Sequence, residues 1–249
     1  MPSTAPIGVF DSGLGGLSVL HELRSELPGE HFIYYGDNLN APYGVREPQD
    51  ILRLSRQAAQ HLMGQGIKAL VIACNTATGV ALAALQQELP IPVIGIQPAL
   101  EAAQALRKEG DVLVLATPAT FKTERYRGLK ALHGEQVIDL PCPGLMDFVE
   151  RGELEGPWLD SFLTVLFSPI ATRPIDCVVL GCTHYPFLAG PIALHFPGVP
   201  LVDDSPRVAA ALKEALAARD LLNDSADRGT LRLQSSGGQD ALDKMQHLV

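Results

Sequence analysis

Residues 71–78 read Val71-Ile72-Ala73-Cys74-Asn75-Thr76-Ala77-Thr78, and residues 178–186 read Val178-Val179-Leu180-Gly181-Cys182-Thr183-His184-Tyr185-Pro186. In both segments a short aliphatic run ends at a cysteine, and a hydroxyl-bearing residue follows within two positions. This pattern places each thiol at the carboxyl end of a strand, where open α/β sheets bind ligands and where the next helix N-terminus favours a thiolate. We therefore expect Cys74 and Cys182 to be a pair of acid/base groups that face one substrate.

Apolar runs alternate with helical patterns along the chain, which predicts α/β architecture with mostly parallel sheets flanked by helices. The interval from Asp11 to Thr117 is close to that from Cys74 to Cys182, and an internal duplication explains both. We expect two similar lobes with the active site in the cleft between them. The first lobe would comprise residues 1–96 plus 206–249, and the second residues 97–205. Predicted strands cover 7–10, 32–35, 69–73, 93–96, 112–116, 136–140, 176–181, 200–202 and 231–233, and predicted helices cover 14–27, 48–63, 79–89, 207–219 and 240–248, with others from 98 and 118.

The composition of the 249-residue chain is that of an ordinary globular protein, with 47% hydrophobic and 19% charged residues. Its net charge of −9 argues against nucleic acid or an anionic membrane as the main partner. The longest apolar runs are shorter than the ~18 residues that a membrane helix needs, and residues 1–6 lack the pattern of a secretory signal. We expect a cytoplasmic protein.

The chain has four cysteines, without Cys-x-x-Cys spacing or a paired Cys/His pattern, so no metal site is predicted. In a reducing compartment they should be free thiols. Cys142 and Cys177 are expected to be small buried hydrophobic residues, and Cys177 lies within an apolar run typical of a packed strand.

The segment Asp11-Ser12-Gly13-Leu14-Gly15-Gly16 joins a strand to a helix, and its glycines would let backbone amides approach a ligand. It lacks the spacing of the dinucleotide fingerprint and the lysine of a phosphate loop. The Asp11 carboxylate could exchange a proton with a nearby thiol, although it could also cap the helix. A catalytic and a purely structural role are equally open for His184, two positions after Cys182.

Taken together, the motifs resemble those of bacterial glutamate racemases, in the aspartate/glutamate racemase family. The resemblance extends from Ile7 over nearly the whole chain. The segments that carry it are 10–16, Tyr35-Gly36-Asp37, Pro42-Tyr43-Gly44, 73–77, Val149-Glu150 with Gly152, and 180–186.

The resemblance implies cofactor-independent interconversion of L- and D-glutamate, supplying D-glutamate for peptidoglycan, by a homodimer without a metal. Cys74 would be the base for the D enantiomer and Cys182 the base for the L enantiomer, assisted by Asp11 and His184, with Glu150 as a further acidic neighbour. The substrate-binding positions would be Asp11, Ser12, Tyr43, Gly44, Asn75, Thr76, Thr183 and His184. Two departures from the family pattern are Gln97, where glutamate is usual, and the additional aspartate at Asp204.

Three alternatives remain open. A racemase for aspartate or another amino acid would use the same pair of thiols. A redox or regulatory protein would instead join Cys74 and Cys182 in a disulfide. A binding protein on a racemase scaffold, with inhibition of a topoisomerase as in some relatives, is the third.

Overall fold

The structure is a computed structural model that describes residues 4–133 and 136–249. Residues 1–3, part of the segment in which no secretory signal is expected, lie outside the described residues. In chain order the elements are β1 (Ile7–Asp11), α1 (Leu17–Glu26), β2 (Phe32–Gly36), α2 (Pro48–Met63), β3 (Ala69–Ile72), α3 (Asn75–Glu88), β4 (Val93–Gly95), α4 (Leu100–Leu106), β5 (Asp111–Ala116), α5 (Pro118–Lys122), α6 (Glu124–His133), β6 (Val137–Pro141), α7 (Leu145–Arg151), α8 (Pro157–Phe167), β7 (Ile175–Leu180), α9 (Ala189–His195), β8 (Leu201–Val202), α10 (Ser205–Ala217), β9 (Leu231–Ser235) and α11 (Gly238–Leu248). Short 3₁₀ turns lie at Asn38–Asn40, Tyr43–Val45, Ser168–Ile170 and Tyr185–Leu188.

The strands form two parallel sheets, in the orders β4-β3-β1-β2-β9 and β6-β5-β7-β8. The predicted α/β fold with two lobes is confirmed. Strand β9 lies beside β2, so the C-terminal segment returns to the sheet that contains the first strand. The residue bounds given above for the lobes stay a prediction.

Both sheets are buried on both faces, as parallel sheets are when helices cover them. In β1, Val9 faces one core of the first sheet and Phe10 the other, because successive side chains of a strand alternate. In β7 the same alternation places Cys177 and Val178 in the two cores of the second sheet. All four cysteines are free, and Cys142 and Cys177 are buried as expected. Burial raises the pKa of Cys142 to about 12 and that of Cys177 to about 11.

Several helix starts differ from the sequence-based bounds. Helix α3 begins at Asn75 rather than at residue 79, because the Cys74 sulfur accepts from the Ala77 amide and caps the first turn. Helix α1 begins at Leu17 rather than at residue 14, because the glycine turn before it wraps around Asp11. The helix predicted from residue 118 is two helices, since the backbone is extended at Thr123.

The two residues that depart from the family pattern contact each other where the chain passes between the sheets. Asp204 accepts a 3.0 Å bond from the Gln97 amide and bonds of 2.6–2.9 Å from Arg207. Arg207 also donates to the carbonyl of Gly95, and the Gln97 side chain accepts from Arg125. The Asp204 carboxylate therefore has hydrogen-bond partners both from the segment after β4 and from α10. Within the described residues, no helix combines the length and apolar character needed to cross a bilayer.

Candidate active site

The first thiol lies at the junction of β3 and α3, where it is buried. Cys74 Sγ is 3.4 Å from the Ala77 amide nitrogen and 3.6 Å from Ser12 Oγ. Burial, and then the Asp11 charge, raise the pKa of Cys74 far above its ordinary value, although the Ala77 amide and Ser12 hydroxyl oppose the shift. Cys182 makes a smaller contribution in the same direction. Without a substrate, Cys74 is held as the neutral thiol.

The second thiol follows β7 and has an imidazole beside it. Cys182 Sγ is 3.6 Å from His184 Nδ1, and His184 Nε2 is 2.8 Å from Glu150 Oε1. Burial alone would lower the pKa of His184, but hydrogen bonds to Cys182 and Glu150 and their charges raise it well above its ordinary value. Burial would raise the pKa of Glu150, and the bond to His184 reverses that effect and lowers it. The arrangement is an imidazole between a carboxylate and a sulfur, and both neighbours favour the protonated ring.

Asp11 lies at the end of β1, with its carboxylate within the glycine turn. Its Oδ2 accepts from the amides of Gly13 (3.2 Å) and Gly16 (3.0 Å), and its Oδ1 accepts from Thr183 Oγ1 at 3.4 Å. Asp11 therefore both organises its own turn and contacts the residue beside the second thiol.

Loops of the two sheets approach so closely that side chains are excluded at two positions. A Cβ on Gly13 would collide with Glu150, and a Cβ on Gly15 would collide with His184 and Thr183. The Leu14 amide donates to Glu150 Oε1 at 2.7 Å, and Ser18 Oγ donates to the carbonyl of Thr183 at 2.9 Å. The glycine turn and the start of α1 therefore pack directly against Thr183, His184 and Glu150, which are the neighbours of the second thiol.

The loop after β2 brings Tyr43 and Gly44 to the same edge of the first sheet. The buried Tyr43 hydroxyl donates to Asp37 Oδ2 at 2.7 Å, and Gly44 packs against Thr117 of the second half. A cavity of about 520 Å³ adjoins Gly44, between residues 44–51 and residues 118–124. Neither thiol lines this cavity.

Asn75 and Thr76 begin α3 next to the first thiol. Thr76 Oγ1 lies 3.0 Å from Thr117 Oγ1 and 3.3 Å from Thr120 Oγ1, which joins α3 to the second half. The buried Asn75 Oδ1 has no hydrogen-bond partner within the described part of the chain. An unsatisfied buried acceptor costs free energy, and a ligand donor would remove that cost.

The structure brings all of the predicted site residues to the facing ends of the two sheets, and it adds others that the sequence reasoning missed. Asp37 holds Tyr43, and the fully buried Tyr34 donates from its hydroxyl to the carbonyl of Gly13 at 2.7 Å. Asp37 directly follows β2, the strand next to β1. Its position at the same sheet edge as Asp11 could therefore have identified it from the sequence. In residues 4–133 and 136–249, no group of three His, Cys, Asp or Glu side chains is arranged to hold a metal ion.

The fold and these contacts define a two-lobed α/β protein in which loops from both sheets surround a pair of thiols. A family model described as Asp/Glu/Hydantoin racemase matches residues 7–215. The chain belongs to this family, and it is therefore an isomerase of the racemase type.

Individual relatives agree with the family match. The chain is 45% identical over 236 residues to a glutamate racemase of Clostridium perfringens, covering 93% of this chain and 91% of the relative. The crystal structure of glutamate racemase from Thermus thermophilus in complex with β-chloro-D-alanine is 36% identical, with a TM-score of 0.84 and coverage of 100% and 94%. That of glutamate racemase from Francisella tularensis in complex with D-glutamate is 31% identical, with a TM-score of 0.85 and coverage of 99% and 94%.

Proposed function

We propose that this chain interconverts L- and D-glutamate, with Cys74 and Cys182 as the two bases. The observation that carries the proposal is that the thiols lie at strand ends of the two different sheets and meet the same turn, since Ser12 contacts Cys74 and the adjacent Asp11 accepts from Thr183 beside Cys182. The substrate is supported by the relatives named glutamate racemase and by the D-glutamate complex of the Francisella protein.

The two-base reaction needs one thiol and one thiolate at its start. Burial raises the pKa of Cys74 and keeps it as the thiol, so we assign the base for L-glutamate to Cys182, whose sulfur lies 3.6 Å from His184 Nδ1. This resting state suits L-glutamate: the Cys182 thiolate takes the Cα proton, the C–H electron pair remains on carbon, and the Cys74 S–H gives its proton to the opposite face. D-Glutamate reacts by the reverse route once the protons have exchanged. Each cycle therefore leaves the two sulfurs with their roles reversed.

The carbanion and the substrate carboxylate need donors that are already in place. The N-terminus of α3 supplies amides and a favourable dipole beside Cys74. Ser12, Thr76 and Thr183 supply hydroxyls, and the unpaired Asn75 Oδ1 would accept from the substrate ammonium. We assign Tyr43 and Gly44 to the wall of the site, and Asp11, His184 and Glu150 to the support of the thiols.

We further infer that one lobe comprises residues 1–96 plus 206–249 and the other residues 97–205, and that the protein is a homodimer. We also infer a cytoplasmic location and a role in supplying D-glutamate for peptidoglycan. No cofactor is invoked, because the two thiols and the fixed donors account for both proton transfers.

The test is proton exchange at Cα. Purified protein in heavy water, without pyridoxal phosphate or metal, should incorporate deuterium into L-glutamate and D-glutamate and should leave both enantiomers of aspartate unlabelled. Labelling of aspartate instead would establish the alternative substrate. The absence of labelling, with a Cys74–Cys182 disulfide found by mass spectrometry, would establish the redox alternative.

A further inference from the structure

A series of hydrogen bonds joins the C-terminal strand to the neighbours of the second thiol. Ser235 Oγ, at the end of β9, donates to Asn38 Oδ1 at 2.8 Å. Asn38 Nδ2 donates to Glu150 Oε2 at 3.3 Å, and the other oxygen of Glu150 contacts His184 at 2.8 Å. His184 in turn lies against Cys182. Ser235, Asn38 and Glu150 are far apart in sequence, and this series of bonds connects them, through His184, to the Cys182 sulfur.

The direction of these bonds is fixed by the Glu150 carboxylate, whose pKa is lowered. An ionised carboxylate only accepts, so the Asn38 amide group faces Glu150 and its oxygen faces Ser235. The Ser235 hydroxyl donates to that oxygen while it accepts from the Gly237 amide at 2.9 Å. The Asn38 side chain is also confined by its packing. A Cβ added at Gly36 would lie 2.8 Å from Asn38 Oδ1, and one added at Gly237 would lie 2.9 Å from Asn38 Cβ.

We propose that Asn38 and Ser235 are positioning residues that hold Glu150, and through it His184, against Cys182. The inference rests on the proposed function, in which Cys182 is one of the two bases. The first thiol has separate support from Ser12 and the Ala77 amide. Loss of the Asn38 or Ser235 bond should therefore affect one side of the reaction and leave the other unchanged.

Substitutions of Asn38 and Ser235 leave every titratable group near Glu150 and Cys182 in place. Glu150 is within electrostatic reach of His184 and Tyr34, and Cys182 is within reach of His184, Tyr185, Cys142 and Cys74. Asn38 and Ser235 are neutral, so replacing either removes hydrogen bonds without removing a charge.

The experiment compares Ser235→Ala and Asn38→Ala with Ser235→Thr, which keeps the hydroxyl, and with Ser168→Ala. Ser168 is the control because its exposed hydroxyl donates to the carbonyl of Val165 and contacts no residue of the site. The first readout needs no substrate: peptide-resolved mass spectrometry of iodoacetamide labelling gives the alkylation rate of Cys182 relative to Cys74. The second is the primary deuterium isotope effect on kcat/KM, measured with 2-deuterated L-glutamate and D-glutamate.

Ser235→Ala loses the bonds to Asn38 and from the Gly237 amide, and Asn38→Ala loses the bonds to Ser235 and Glu150. Both variants should therefore lower the Cys182/Cys74 alkylation ratio, by about threefold or more. The isotope effect should rise for L-glutamate, whose proton Cys182 removes, and fall for D-glutamate. Ser235→Thr and Ser168→Ala should match the wild type. A ratio unchanged in Ser235→Ala, or equal effects on both enantiomers, would overturn the proposal. If the wild-type protein does not racemise glutamate, the proposed function fails, and the alkylation ratio still decides whether Ser235 and Asn38 act on Cys182.

Discussion

Glu150 Oε1 and His184 Nε2 lie 2.8 Å apart, although Glu150 belongs to α7 and His184 to the loop after β7. The same oxygen accepts from the Leu14 amide of the first half. The carboxylate therefore connects the glycine turn of one sheet to the imidazole of the other. We expect both the pH dependence of stability and the reactivity of Cys182 to depend on this contact.

The His184→Gln variant should lose stability in a pH-dependent way. The pKa of His184 is raised, so its contribution is complete below its ordinary value of ~6.5 and is lost as pH rises through the raised value. The pKa of Glu150 is lowered, so its contribution is complete above ~4.3 and is lost as pH falls through the lowered value. Urea unfolding should show a deficit of about 2 kcal/mol between those two ordinary values, shrinking at alkaline pH. A deficit independent of pH, or an equal one in the exposed control His21→Gln, would contradict this account.

Replacement of either thiol should stop racemisation without unfolding the protein. Cys74→Ser and Cys182→Ser each remove one proton carrier, and we expect kcat to fall by at least about 100-fold. Polarimetry measures the rate, and circular dichroism checks the fold. Substantial activity in either variant would show that the reaction does not need both sulfurs.

A methyl group at Gly15 should disturb the second thiol's neighbours. A Cβ there would collide with the His184 ring and the Thr183 hydroxyl, so Gly15→Ala should be destabilised by about 1–3 kcal/mol and should lose most activity. Gly128→Ala is the matched control, because Gly128 lies within α6 and a Cβ there meets open space. It should gain about 0.5–1 kcal/mol in thermal or urea unfolding and keep its activity. Equal behaviour of the two variants would exclude steric contact as the cause.

The buried ion pair between Lys68 and Glu30 should matter for stability. Its atoms are 2.6 Å apart, and the two side chains are 0% and 1% exposed. Lys68→Met would leave the carboxylate buried without its counter-ion, which typically costs about 3–5 kcal/mol. The exposed pair Arg53–Asp50 provides the comparison, and Arg53→Met should cost less than about 1 kcal/mol in urea unfolding. A small effect of Lys68→Met would mean that water reaches the Glu30 carboxylate in the variant.

The sequence allowed the sheets and the thiols to be predicted because those signals are local. Alternating apolar runs identified the strands, and the position of a cysteine directly after a strand identified each thiol. The start of α3 was placed too late, because Asn75, Thr76 and Thr78 have low helix propensity and the sulfur cap at Cys74 has no propensity signal.

The supporting residues could not be found in the same way, because long-range contacts define them. Glu150 came from the family resemblance alone, since nothing near it in sequence connects it to His184. Asn38 falls in a polar loop, and Ser235 falls between the predicted strand 231–233 and the predicted helix 240–248. Nothing connects them until the return of β9 to the first sheet places them together.

That return also sets the order in which the contacts of the site form during translation. The loop at Asp37 and Asn38 leaves the ribosome early, whereas Ser235, which bonds to Asn38, lies 197 positions later. At typical elongation rates of roughly 5–20 residues per second, a nascent chain carries both cysteines for several seconds before β9 exists. The hydrogen bonds behind the second thiol are therefore completed only after the strands that position both cysteines have been synthesised.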